Sequence, residues 1–203
     1  MKKKIKILNT EFANFGSIKN ILKKIGHEGV LIDNFDDVED YEKIILPGVG
    51  NFENIMGILK KKNLIENTKR KILGKKNKFL CICVGMQILF NSSEESKVPG
   101  LSIFPDKLVK INNPIVRVPH QGWNFAVYNK NNTTLKNIFE KKFYFSHSFW
   151  LQNFNEEMIL TNSSYGDSFV SSIITSNILA TQFHPEKSHG QGCDLIKYFS
   201  DEF

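Results

Sequence analysis

Residues 79–90, FLCICVGMQILF, confine the fold more than any other part of the chain. An apolar run ends on Cys83, turns at Val84-Gly85 and resumes as a short amphipathic stretch, the pattern of a strand, a sharp elbow and a helix. A cysteine at that tip meets the free N–H groups and positive end of the following helix, which favour the thiolate over the thiol. About a hundred residues later the chain reads Thr181-Gln182-Phe183-His184-Pro185-Glu186-Lys187-Ser188. Pro185 keeps His184 out of the helical region, and residues two apart in an extended chain share a face, so Glu186 is expected to orient the His184 ring. Cys83, His184 and Glu186 then form a nucleophile, a base and an orienter.

The rest of the sequence supplies the frame for such an elbow. Strands are expected over residues 5–8, 29–32, 43–46 and 79–83, and helices over 17–25, closed by Gly26, over 52–59, capped by Asn51, and over 64–73. Alternating strands and helices imply an α/β fold, a mixed and mostly parallel central sheet flanked by helices, with ligands beyond the carboxyl ends of the strands. The second half is strand-rich, with strands expected over 107–111, 124–128, 142–145, 158–161, 169–175 and 178–182, a polar turn over 129–134 and a final helix over 193–199. With no repeat, low-complexity tract or long linker, residues 1–203 read as a single domain.

Charge does not point to nucleic acid. The formal net charge is +6, but it is nearly all lysine, in short groups suited to solvated faces, with only Arg70 and Arg117 as arginines. No apolar stretch approaches the roughly 20 residues needed to span a bilayer, and Cys81, Cys83 and Cys193 make no disulfide framework. The N-terminus runs straight into a strand pattern, so the expectation is a soluble, cytoplasmic protein that binds neither nucleic acid nor membrane.

Each of these residues also has a plainer reading. A cysteine is often a small buried hydrophobe, and His27, His120, His147 and His189 read as hydrogen-bonded core or surface histidines. Cys81-Ile82-Cys83 has the wrong spacing for zinc, and no second ligand cluster accompanies it. Pro47-Gly48-Val49-Gly50 could be an ordinary turn, but paired glycines leave backbone N–H groups free to approach a ligand, as an oxyanion hole requires.

With these motifs in order, the sequence resembles the class I, or triad, glutamine amidotransferases, whose nucleophile elbow reads G-x-C-x-G and is followed late in the chain by H-P-E. Within them it is most similar to the glutaminase subunits of imidazole glycerol phosphate synthases, on Pro47-Gly48-Val49-Gly50-Asn51-Phe52, Val118-Pro119-His120-Gln121-Gly122-Trp123-Asn124 and Phe143-Tyr144-Phe145-Ser146-His147-Ser148-Phe149. The resemblance implies a flavodoxin-like class I amidotransferase fold without cofactor or metal. It implies an oxyanion hole from Gly48, Val49, Gly50 and Val84. L-Glutamine would be held by Gln87, Glu95 and the backbone of His147, Ser148 and Phe149. It further implies a heterodimer with a (β/α)₈ barrel synthase, the cyclase, with Asn14, His120, Trp123, Asn124 and Lys187 near the interface and ammonia passed between subunits.

Three departures stand out. Cys81 replaces the elbow's first glycine, Phe149 replaces a tyrosine, and residues 9–17 keep only Asn14 and Ser17 of the usual D-Y-G-x-G-N-L-x-S loop. A divergent partner-facing loop leaves two alternatives open, a paralogue that supplies ammonia for surface-sugar amidation and a catalytically silent regulatory subunit.

Overall fold

A computed structural model describes residues 2–128, 130, 132–139 and 141–203. The first half runs β1 (Lys4–Leu8), α1 (Phe15–Lys24), β2 (Glu28–Ile32), β3 (Lys43–Gly48), α2 (Phe52–Lys61), α3 (Ile65–Leu73), β4 (Lys78–Cys83) and the one-turn helix α4 (Val84–Gln87). There follow β5 (Phe90–Ser93), β6 (Phe104–Lys110), β7 (His120–Phe125), β8 (Val127–Tyr128), α5 (Thr133–Phe139), β9 (Lys142–His147) and β10 (Phe149–Trp150). The chain ends with β11 (Ile159–Tyr165), β12 (Asp167–Ile174), β13 (Ile178–Thr181), a 3₁₀ turn over Pro185–Lys187 and α6 (His189–Asp201).

The main sheet has the order β2-β1-β3-β4-β13-β12-β11-β8, parallel from β2 to β13 and antiparallel beyond. Its central strands are continuous apolar runs because helices cover both faces. Ile44, Ile45 and Leu46, Phe79, Leu80 and Ile82, and Ile178, Leu179 and Ala180 are all buried. α1 turns Ile18 and Leu22 inward, and α2 starts at Asn51, whose side chain accepts the Asn54 N–H at 2.8 Å. The parallel register sets Gly48 beside Cys83 and Thr181 beside Ile82. The carboxyl ends of β3, β4 and β13 therefore bring the glycine strand, the cysteine and the histidine segment together.

The elbow itself is tight. Cys83 has φ 54° and ψ −109°, a conformation that L-residues rarely adopt, and it is held by packing of backbone on backbone. A Cβ on Gly85 would overlap the Leu46 carbonyl, and one on Gly48 would stand 2.9 Å from the Gly85 nitrogen. Cys81 pairs with Leu46 on one side and Ala180 on the other and is fully buried. Burial pushes its thiol far above the ordinary range, so Cys81 remains an uncharged core group where the family usually has glycine.

Several boundaries differ from expectation. α4 lasts four residues, all buried, and is not amphipathic, because Ile88, Leu89 and Phe90 leave the helix to enter the core and β5. So short a helix carries little dipole. The strand expected over 124–128 begins at His120 and breaks at buried Ala126, so that β7 pairs with β9 in a separate two-stranded sheet. Asn129 and Asn131, within the expected polar turn, lie outside the described residues, while Thr133 and Thr134 already begin α5. α6 starts at His189, not 193, because Gly192 packs so close to the Pro185 carbonyl that no side chain would fit.

Gly85→Ala is therefore expected to destabilise the fold by at least about 2 kcal/mol, since backbone must move to admit the methyl group. Urea unfolding followed by circular dichroism measures it, and a shift below about 0.5 kcal/mol would show that the elbow has slack.

Candidate active site

His184 follows β13 in extended conformation, with φ −100° and ψ 94°, and its N–H is bonded to the Tyr144 carbonyl at 2.8 Å. Pro185 then opens the 3₁₀ turn that swings Glu186 back, so the carboxylate reaches the ring through a turn and not along one strand face. His184 Nδ1 and Glu186 Oε1 are 2.8 Å apart, with both side chains 2% exposed. A carboxylate only accepts, so Nδ1 carries the proton and Nε2 is left for the Cys83 sulfur. Burial alone would strip the imidazolium of its proton. The adjoining Cys83 sulfur and the Glu186 carboxylate outweigh burial and hold His184 up, to about 10. Burial likewise opposes ionisation of Glu186, but the His184 hydrogen bond and charge, with the Asn14 amide at 2.8 Å, keep its carboxyl below the ordinary value.

The Cys83 sulfur also has the Gln182 amide nitrogen at 3.7 Å and the Ser146 carbonyl at 4.0 Å. Val84, the first residue of α4, has no intrahelical acceptor for its N–H and suits an oxyanion donor. The glycine strand is tied elsewhere. Val49 donates its N–H to the Phe12 carbonyl at 2.9 Å, and the Thr10 hydroxyl donates to the Pro47 carbonyl at 3.1 Å. Gly50 follows at φ +93°, a hinge that an L side chain would strain.

In front of Cys83 lies a cavity of about 270 Å³ lined by Val49, Gly50, Val84, Gln87, Glu95, Pro119, residues 146–149, His184 and Lys187. Gln87 Nε2 donates to the Phe149 carbonyl at 3.1 Å and to Gln182 Oε1 at 3.0 Å, which engages both of its amide protons. Glu95 accepts the Phe52 N–H on one oxygen at 2.8 Å, and its half-burial pushes the carboxyl upward. A cationic group docking there would relieve that penalty.

Behind the 147–149 backbone runs a chain of fixed polarity. His147 Nδ1 donates to the Phe149 carbonyl at 3.0 Å, so His147 Nε2 accepts from His120 Nδ1 at 3.0 Å, and His120 Nε2 accepts from the Asn124 amide at 3.3 Å. Asn124 cannot flip cheaply, because its amide also donates to the Ser164 carbonyl and its oxygen accepts the Phe125 N–H, both at 2.8 Å. Burial lowers His120 to about 4 and His147 to about 3, leaving both rings neutral.

Of the residues expected at the site, Cys83, His184, Glu186, Val49, Gly50, Val84, Gln87, Glu95, His147, Ser148 and Phe149 all line or adjoin this cavity, and Gly48 packs under the elbow. Those expected near a partner divide. Lys187 lines the pocket and is exposed, its ammonium 5.7 Å from the Tyr144 ring, and Trp123 is exposed and stacked on His189 at 5.1 Å. Asn14 instead serves Glu186, Asn124 closes the histidine chain and His120 is buried. Gln182, Thr10 and the Phe12 carbonyl had no role in the sequence reading, although Gln182 lies two residues before His184 and so on the same side of an extended segment.

Fold and site together define a cysteine hydrolase-type amidotransferase, and comparison with known proteins agrees. The description "Glutamine amidotransferase class-I" matches residues 10–201. The crystal structure of a glutamine amidotransferase superposes with a TM-score of 0.70 at 17% identity, covering 96% of each chain. PurLQS from Thermotoga maritima gives 0.70 at 18%, covering 98% of each, and both likenesses bear on the fold alone. Imidazole glycerol phosphate synthase subunit HisH 2 of Methanococcus maripaludis is 37% identical over 198 residues, 96% of this chain and 98% of its own. The HisH subunit of Leptospira borgpetersenii is 35% identical over 97% of this chain and 98% of its own, and that of Cyanidium caldarium 37% over 99% and 100%. The chain belongs to the class I glutamine amidotransferases and, within them, to the HisH subunits of imidazole glycerol phosphate synthase.

The buried histidines predict an acid-sensitive fold. Unfolded, His120 and His147 take up protons as pH falls through 6.5, whereas folded they resist until about 4 and about 3, so stability is lost as pH drops through that window. His184 has the opposite sign, its stabilisation being full below 6.5 and lost as pH rises toward about 10. Net stability is expected to fall by about 2–3 kcal/mol from pH 7 to roughly pH 5. His120→Phe keeps a ring stacked between Phe145 and Tyr165 and should flatten that limb in urea titrations, and an identical slope would show that the pair does not titrate on unfolding.

Proposed function

We propose that the protein hydrolyses L-glutamine to glutamate and ammonia as the glutaminase subunit of an imidazole glycerol phosphate synthase. The observation that carries this is the Cys83, His184 and Glu186 set at an elbow facing a closed-backed cavity. Cys83 gives its proton to His184 Nε2 and attacks the side-chain carboxamide carbon. The resulting oxyanion is stabilised by the Val84 N–H and by an N–H of the Gly48-Val49-Gly50 strand. His184 returns the proton to the leaving nitrogen, ammonia departs, and water activated by His184 cleaves the γ-glutamyl thioester to release glutamate. Glu186 keeps the ring oriented and supports its positive charge throughout. Glu95 and the side-chain carbonyl of Gln87 suit the substrate's ammonium group, and the 147–149 backbone suits its carboxylate.

Ammonia released into water at neutral pH becomes ammonium and ceases to be a nucleophile, so a synthase of (β/α)₈ architecture is the fitting recipient. Lys187 at the pocket and the exposed Trp123 suit contact with such a partner. The names of the relatives favour histidine biosynthesis over the surface-sugar alternative, and the complete triad speaks against a silent regulatory subunit.

The Val49 tie to Phe12 supports a gated reaction. With that N–H engaged, the strand's contribution to the oxyanion hole is withheld, and Gly50 is the hinge on which the peptide would turn. A preference of about 3 kcal/mol for the tied arrangement leaves below roughly 1% competent, so partner binding that releases it raises kcat on the order of a hundredfold. Steady-state glutaminase rates with and without purified synthase and its nucleotide ligand test this, and full activity in the isolated chain would reject the gate. Cys83→Ala should abolish glutaminase activity while the complex still uses added ammonium, whereas loss of both activities would contradict separate sites. Glu186→Gln should lower kcat more than it raises KM, and an unchanged kcat would remove Glu186 from the relay.

A further inference from the structure

We propose that Gln182 is a further catalytic residue, a carboxamide donor to the Cys83 sulfur whose orientation is dictated by the Phe149 carbonyl. The proposal rests on Cys83 being the nucleophile. Its warrant is the polarity of the hydrogen bonds behind the pocket. A backbone carbonyl can only accept, so the group that Gln87 turns toward Phe149 at 3.1 Å is its NH₂. The same NH₂ lies 3.0 Å from the Gln182 side chain, which must therefore present its oxygen to Gln87. With the oxygen committed, the remaining end of the Gln182 amide, 3.7 Å from Cys83, is an N–H donor. Flipping Gln182 would set NH₂ against NH₂, and flipping both glutamines would set the Gln87 oxygen against the Phe149 carbonyl. The second bond to Phe149, from His147, pins the same carbonyl from behind.

A donor aimed at sulfur discriminates between its protonation states. A thiolate gains a charge-assisted hydrogen bond, while a thiol gains little, since sulfur without charge is a weak acceptor. Gln182 is buried, with 1% exposure, so water does not substitute for it. His184 takes up the proton and Gln182 stabilises what is left behind. Catalytic demand on the sulfur is thereby shared between a group that moves a proton and one that does not.

The test is alkylation of Cys83 by iodoacetamide in the full chain, read by peptide mass spectrometry, across neutral to alkaline pH. Gln182→Met keeps volume and removes the donor. Its alkylation rate at neutral pH should fall about tenfold and converge on the parental rate at high pH, where the thiolate forms without help. An equal slowing at every pH would indicate altered access alone and overturn the proposal, as would an unchanged profile. The second measurement needs no substitution. In the ¹⁵N-labelled parent, the Gln182 side-chain amide protons should shift with the same pH midpoint as the alkylation profile, and resonances that stay still would overturn the proposal even if Gln182→Met failed to fold. Neither measurement uses glutamine. A chain that shows the expected profile but no glutaminase activity would lose the functional reading and keep the donor, whereas an active glutaminase with an unaltered profile would do the reverse.

Discussion

Close packing of the Gly85 backbone against the Leu46 carbonyl sets everything downstream. It lets β4 end in a left-handed Cys83, turn at once into α4, and leave the sulfur standing above the sheet. Gly48 closes the contact from the other side, so the strand able to stabilise an oxyanion is physically part of the elbow's support. β13, paired to the far side of β4, then delivers Gln182 and His184 to the same end of the sheet. Cys83, His184 and the glycine strand converge because three parallel strands in register end together, which needs no long-range coordination beyond strand pairing.

Three histidines around one pocket show how neighbours override type. His184 is pulled toward its charged form, against its burial, by the adjoining Cys83 sulfur and the Glu186 carboxylate. His147 is pushed the other way by its burial, which the bond to the Phe149 carbonyl opposes only weakly, and the His120 and His184 rings add to that push. The pocket can hold one imidazolium without inviting a second. Fixed tautomers follow, and with them a fixed orientation for every amide that touches the 147–149 backbone.

The sequence made the α/β alternation legible, because the first half carries strong apolar periods punctuated by Gly26, Asn51 and Pro47-Gly48. It also singled out Cys83, His184 and Glu186, which the fold brings together, since an elbow cysteine and a His-Pro-Glu turn are local patterns. What escaped was decided by tertiary context. The run after Gln87 has helical spacing, yet Leu89 and Phe90 are worth more buried in the core than continued as helix, so α4 stops after one turn. The final helix, expected from 193, begins at His189, where Gly192 packs closely on the Pro185 carbonyl. His120 looked partner-facing from its motif, but β7 alternates, and His120 takes an inward position while Trp123 takes an outward one. Gln182 gave no signal, and Asn14 read as partner-facing although it serves Glu186, because an amide's importance lies in what it faces, which no local pattern records.

The loop before α1 is where this chain departs furthest from its family's usual wording, and the structure shows how little that costs. Its hold on the glycine strand is made by the Phe12 carbonyl and the Thr10 hydroxyl, with Asn14 reaching Glu186. A main-chain carbonyl is present whatever residue supplies it. Phe12 exposes its ring, and its bond to Val49 is made by the main-chain carbonyl alone. The Phe12 half of the hold, made by a main-chain carbonyl, is indifferent to which side chain stands there, whereas the Thr10 half depends on a hydroxyl at that position.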